Sequence, residues 1–244
     1  MSQLNLNREE IQTDGSEGKR LQDFSCGSGN VQAFFKNLAE NVIPKIADAD
    51  MVVGCMAWLT CPKILGALEK HQHVSILIQK EDWLRPDSGD YTKEKLRKSY
   101  SRLRCGVERD TMPKPICDLS YAGDLSIDPI RCVGYVNTKK AAAVPRSHHK
   151  FLVFCHFVKV CQRGSNCEGP YCDYYHRMRL QPYAVWTGSF NMTYNASNSF
   201  ENAVYIEDSQ IAQAYLNEYA QLFALSEPLN WESEWVMPEY REGS

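Results

Sequence analysis

The chain lacks any stretch of about 20 consecutive apolar residues, so no membrane-spanning helix is expected. Its N-terminus, MSQLNLNREEIQTDGSEGKR, lacks the apolar core of a secretory signal, which makes the cytoplasm the expected location. An excess of positive charge is also missing. Lys and Arg number 27 against 30 Asp and Glu, giving a net charge of -3, so any nucleic-acid binding must use a local basic face. Ten cysteines are present, but without a secretory signal they do not read as a disulfide framework. Cys26, Cys55, Cys61, Cys105, Cys117 and Cys132 are scattered without ligand-like spacing, and Cys55 and Cys132 sit in apolar runs as small hydrophobes. No internal repeat is found.

What is present is enough for a folded core. The chain has 244 residues, 43% of them hydrophobic, which suits one large domain or two small ones. Residues 1–22 are polar and aperiodic and read as a tail or exchanged arm. From Val31, apolar residues at helical spacing (Phe34, Phe35, Leu38, Val42, Ile43) predict a helix that Pro44 kinks or ends. MVVGCMAWLT and VSILIQ read as buried strands, separated by a helix that begins at Pro62. This alternation predicts an α/β layered domain with a largely parallel central portion. Further strands are expected in IRCVGYV, KFLVFC, AVWTG and NAVYIED, and a C-terminal helix capped by Ser209. Residues 91–104 read as a basic helix, six of fourteen being Lys or Arg. Residues 228–244 form an acidic, Trp-containing tail.

Two segments carry the chemistry. The first is Ser147-His148-His149-Lys150 before the apolar FLVF. The second is Thr187-Gly188-Ser189-Phe190-Asn191-Met192-Thr193, followed by Asn198, Glu201 and Asn202. Each puts polar residues at the edge of a buried strand. Residues two apart on a strand share a face, so His148 and Lys150 face one side and His149 the other. A histidine, a lysine, a hydroxyl, an amide and a carboxylate are what phosphodiester cleavage asks for: a nucleophile or acid, and cationic or dipolar groups for the phosphoryl oxygens.

His-x-Lys, then Gly-Ser-x-Asn, then Asn-x-x-Glu-Asn resembles the phospholipase D superfamily, closest to its single-motif nucleases and cardiolipin hydrolase-like members. The motif-bearing match spans about residues 130–225. The resemblance implies a mixed sheet flanked by helices over residues 23–227, and a site completed by two copies of the motif. Since one His-x-Lys occurs here, it implies a homodimer. It assigns His148 as nucleophile in one subunit and acid in the other. Lys150, Ser189 and Asn191 become the phosphate clamp, Glu201 orients the imidazole, and no catalytic metal is expected. One departure stands out: the family places an Asp five residues after the lysine, and here that position is Cys155.

Residues 155–180 form an insert between the half-motifs, containing Cys161-x5-Cys167-x4-Cys172-x3-His176. Four such ligands suit a structural Zn²⁺, which would supply folding energy to a polar, Gly-rich loop. The pattern resembles a CCCH zinc finger, with Cys155 or His156 as alternatives to Cys161. Arg97 and Arg104 of the basic helix, with Lys139, Lys140 and Arg146, are candidate substrate-binding cations. They favour nucleic acid, DNA or RNA, as substrate. A lipid phosphodiester such as cardiolipin or phosphatidylcholine, or a catalytically silent zinc-containing nucleic-acid-binding protein, are the alternatives.

Overall fold

The computed structural model describes residues 5–8, 10–11, 19–85, 91–118, 124–136, 145–161 and 176–229. Lys139, Lys140, Cys167 and Cys172 lie outside the described residues. Strands β1 (Glu10–Ile11) and β2 (Lys19–Arg20) pair with each other. The remaining described strands are β3 (Cys26–Ser28), β4 (Val31–Phe34), β5 (Met51–Met56), β6 (Val74–Gln79), β7 (Ile130–Val133), β8 (Lys150–Cys161), β9 (His176–Gly188), β10 (Ala203–Ile206) and β11 (Glu227–Pro228). They form one sheet in the order β11-β7-β6-β5-β8-β9-β10-β4-β3. The parallel portion is smaller than expected, comprising β5, β6 and β7; the other pairings are antiparallel, which makes the sheet mixed.

Helices α1 (Leu38–Asp48), α2 (Pro62–Glu69) and α3 (Tyr91–Tyr100) lie on one face of the sheet. The long helix α4 (Ser209–Ala224) covers the other. Alternation along the strands explains the two layers. Val52, Met56, Leu152, Phe154 and Trp186 join the core beneath α1 and α2. Val53, Cys55, Phe151, Val153 and Val185 pack against Leu216, Tyr219 and Phe223 of α4.

Several boundaries differ from the sequence reading. Val31–Phe34 is a strand paired to β10, and Phe34 stacks on Trp186 with centroids 5.1 Å apart. Asn37, left-handed at φ 52, turns the chain so that the helix begins only at Leu38. Pro44 sits inside that helix, which continues to Asp48. The N-cap of α4 is Asp208, not Ser209: its Oδ1 accepts the N–H groups of Gln210 and Ile211, each at 2.9 Å. The segment expected as a tail is in part docked, since Asn7 donates to the carbonyls of Ser197 and Ser199. Of the insert expected at 155–180, residues 155–161 and 176–180 are described and belong to β8 and β9. β8 and β9 continue as a ladder to Cys161 and His176, with a bulge at Tyr183, the extra residue between the partners of Phe154 and Cys155.

Candidate active site

The topology collects both half-motifs on one sheet edge. β5, β6 and β7 run toward that edge, β9 ends there, and β8 and β10 start there. The segment before β8 is anchored on both sides of His148. Ser147 N–H donates to Gln79 Oε1 at 2.7 Å, and His149 C=O accepts from Ala57 N–H at 2.9 Å. Lys150 pairs with Met56 of β5, and its carbonyl accepts Thr187 Oγ1 from β9 at 3.2 Å.

His148 and Lys150 face the same side. Lys150 Nζ lies 3.1 Å from His148 Nδ1 and 3.3 Å from Nε2, and donates to the His148 carbonyl at 3.1 Å. Burial, then the cations Lys150 and Arg146, hold His148 below the ordinary imidazole pKa. Its neutral, nucleophilic form is thereby favoured near pH 7. Burial also lowers Lys150, opposed by the carboxylate of Glu201. His149 points the other way, as expected from strand alternation. It pairs with Glu218 of α4 at 3.4 Å and sits edge-on to Phe151.

The second half-motif forms a tight corner between β9 and β10. Ser189 Oγ donates to Glu201 Oε2 at 2.5 Å and accepts Asn202 N–H at 3.0 Å. Ser189 N–H donates to Asn202 O at 3.1 Å. Gly188 is required here, because a Cβ would lie 2.3 Å from Asn202 O and 2.7 Å from Ala203 Cα. Asn191 is half-buried, and its Oδ1 has no hydrogen-bond partner among the described residues. Glu201 makes no hydrogen bond to His148 among the described residues; it engages Ser189 and faces Lys150.

The candidate cations are not all brought together. Arg146 is exposed and close enough to depress His148. Arg97 is spent on structure, donating to the carbonyls of Trp83 at 2.9 Å and Arg85 at 3.4 Å. Arg104 lies at the opposite edge, where its carbonyl accepts Val74 N–H at the start of β6. Cys155 is also remote from His148. It is fully buried in the α4-side core, five residues along β8 from Lys150, or about 16 Å at ~3.3 Å per residue. Cys161 and His176 are facing Cα partners at the far end of the ladder. Among the described residues no group of three or more His, Cys, Asp or Glu is placed to hold a metal.

The sequence reading missed Trp58, whose ring meets His148 edge-on at 6.0 Å while Nε1 donates to Glu81 at 3.0 Å. No spacing in AWLT signals this, since the contact depends on where β5 ends.

No family model matches the chain. An uncharacterized protein of Acanthamoeba polyphaga mimivirus is 27% identical over 219 residues, covering 84% of this chain and 69% of that protein. Among solved structures, Nuc from Salmonella typhimurium, described as a phospholipase D family member, is 18% identical with a TM-score of 0.40. It covers 81% of this chain and 95% of that one. NucT from Helicobacter pylori is 13% identical with a TM-score of 0.42, covering 79% and 94%. Both superpose loosely, so the functional reading rests on the site's own residues.

Proposed function

We propose that the chain is a phosphodiesterase of the phospholipase D type. More specifically, it is an endonuclease whose active site is shared by two subunits. The convergence of His148, Lys150 and the Ser189–Glu201 corner on one sheet edge, from segments far apart in sequence, carries this reading. Neutral His148 attacks phosphorus, and the bond to the leaving oxygen breaks as the partner subunit's His148 gives that oxygen a proton. Water then attacks the phosphohistidine and loses its proton to the second imidazole, the P–N bond breaks, and both rings return to their starting states. Lys150 Nζ and the Nδ2 amide group of Asn191 donate to the non-bridging oxygens, and Ser189 joins them when its hydroxyl hydrogen turns from Glu201 to the phosphate. Glu201 fixes Ser189 and, in the dimer, orients an imidazole. No catalytic metal takes part in this scheme.

Three features support nucleic acid as substrate. Arg146 stands exposed beside His148. Phe200, next to Glu201, is 60% exposed. Lys36 Nζ sits 5.7 Å from the centroid of the Phe200 ring. An exposed aromatic beside cations suits a stacked base and its phosphate. A structural Zn²⁺ on Cys161, Cys167, Cys172 and His176 belongs to the same proposal, and the main-chain pairing of Cys161 with His176 supports it.

The test is cleavage of fluorescent single-stranded DNA and RNA oligonucleotides in EDTA at low salt, from about pH 5 to about pH 8. Cleavage that is lost in His148→Asn is expected. No cleavage under any of these conditions, with phosphatidate released from cardiolipin or phosphatidylcholine vesicles instead, would make the enzyme a lipid hydrolase. Binding without cleavage of either substrate would leave a silent binding protein.

A further inference from the structure

We infer that Gln79 is a positioning residue for His148; the inference rests on His148 being the nucleophile. Gln79 ends β6 and is 2% exposed. Both amide hydrogens and the oxygen are engaged, each by a main-chain group among the described residues. Nε2 donates to Lys80 O at 2.7 Å and to Tyr135 O at 2.9 Å, and Oε1 accepts Ser147 N–H at 2.7 Å. One side chain therefore joins the end of β6, the chain leaving β7 and the residue before His148. Only an amide supplies two donors and an acceptor at this junction; Glu and Met of similar length do not.

Gly134 shows that space is reserved for this amide. It has φ +94, and a Cβ there would lie 2.6 Å from Gln79 Oε1 and 3.1 Å from Ser147 N. Among the described residues before β8, two bonds made by main-chain groups stand out. His149 C=O accepts from the N–H of Ala57, just after β5, and Ser147 N–H donates to Gln79. The two bonds flank His148 and fix its backbone from both directions. A nucleophile must be held near its attack geometry, and displacement of about 1 Å costs roughly 10²-fold in rate. Its ring is exposed and touches Trp58 edge-on and Lys150, so the main-chain anchors set where the ring sits between them.

The variants Gln79→Met, Gln79→Glu and Gly134→Ala test this in the full chain. On bis(p-nitrophenyl) phosphate, Gln79→Met and Gly134→Ala are expected to lower kcat by roughly 10²-fold with KM within about twofold. Gln79→Glu, which keeps an acceptor for Ser147 N–H but turns a carboxylate oxygen on the Lys80 and Tyr135 carbonyls, is expected to recover none of that loss. A second readout does not depend on activity: the ¹³C-labelled ring of His148 is followed by NMR through a pH titration. In Gln79→Met its resonance broadens and its pKa moves up toward the ordinary imidazole value, as the ring becomes more solvated and leaves Lys150 and Arg146. Unchanged kcat, or an unchanged His148 titration in variants that melt at lower temperature, would overturn the inference and leave Gln79 a stabilising residue only. If wild-type protein cleaves no phosphodiester, the nuclease reading fails while the NMR titration still decides whether Gln79 positions His148.

Discussion

Replacing Cys155 by Asp introduces the carboxylate that the phospholipase D resemblance implies five residues after Lys150. The expected result is loss of stability with no gain in activity. The side chain is fully buried among Met51, Val153 and α4, and burial already drives its thiol pKa far up. A carboxyl there should be pushed roughly 3 units above its unfolded value of about 3.9. At 1.36 kcal/mol per unit, this destabilises the protein by about 4 kcal/mol at pH 7. The sign follows from the raised folded-state pKa. The penalty is absent below about pH 4, where both states are protonated, and grows as pH rises toward the folded-state value. Urea unfolding at about pH 4.5 and about pH 7 measures it, with Cys155→Ser as the control of similar size. Because position 155 is about 16 Å from Lys150, kcat on bis(p-nitrophenyl) phosphate should stay within about twofold of wild type. A Cys155→Asp protein of wild-type stability with tenfold higher kcat would refute the reasoning and show that the natural site is impaired.

Other perturbations separate the parts of the site. Gly188→Ala forces β9 and β10 apart and weakens the Ser189–Asn202 and Ser189–Glu201 bonds. A loss of about 2–4 kcal/mol in urea unfolding and at least tenfold in kcat is expected, and a variant within about 0.5 kcal/mol of wild type would contradict the close-approach argument. Arg146→Gln removes one cation that depresses His148, so the acid limb of kcat/KM should move to higher pH; an unmoved limb would mean that another group sets it. Phe200→Ala should raise KM for an oligonucleotide roughly 5-fold or more through a lost stacking contact while leaving bis(p-nitrophenyl) phosphate turnover unchanged. Equal loss on both substrates would place Phe200 in the structure of the corner and not in base recognition.

Legibility in the sequence followed from how local each signal was. β5, β6 and α2 could be read because MVVGCM and VSILIQ are short, mostly apolar runs of strand length and Pro62 marks a helix start. The opposite facing of His148 and His149 followed from strand alternation and is seen in the Glu218 contact. β4 was misread because Val31 and Phe34 fit a helical stripe as well as a strand, and the left-handed turn at Asn37 has no apolar signature. The parallel portion was overestimated because element alternation cannot show that β8 enters the sheet antiparallel beside β5. Arg97 and Arg104 looked like one basic face, but the fold assigns the first to backbone carbonyls and the second to the far edge. Gln79 gave no signal, since its partners are backbone groups from segments that only the fold brings together.

The central claim is that His148 forms a covalent bond to phosphorus. Wild-type protein is mixed with a single-stranded oligonucleotide in EDTA, quenched in base, where phosphohistidine survives, and measured by intact mass and peptide mapping. The account predicts a transient adduct of one nucleotide fragment on the peptide containing His148, absent in His148→Asn. Cleavage with no adduct at any time point, persisting in His148→Asn, would contradict it.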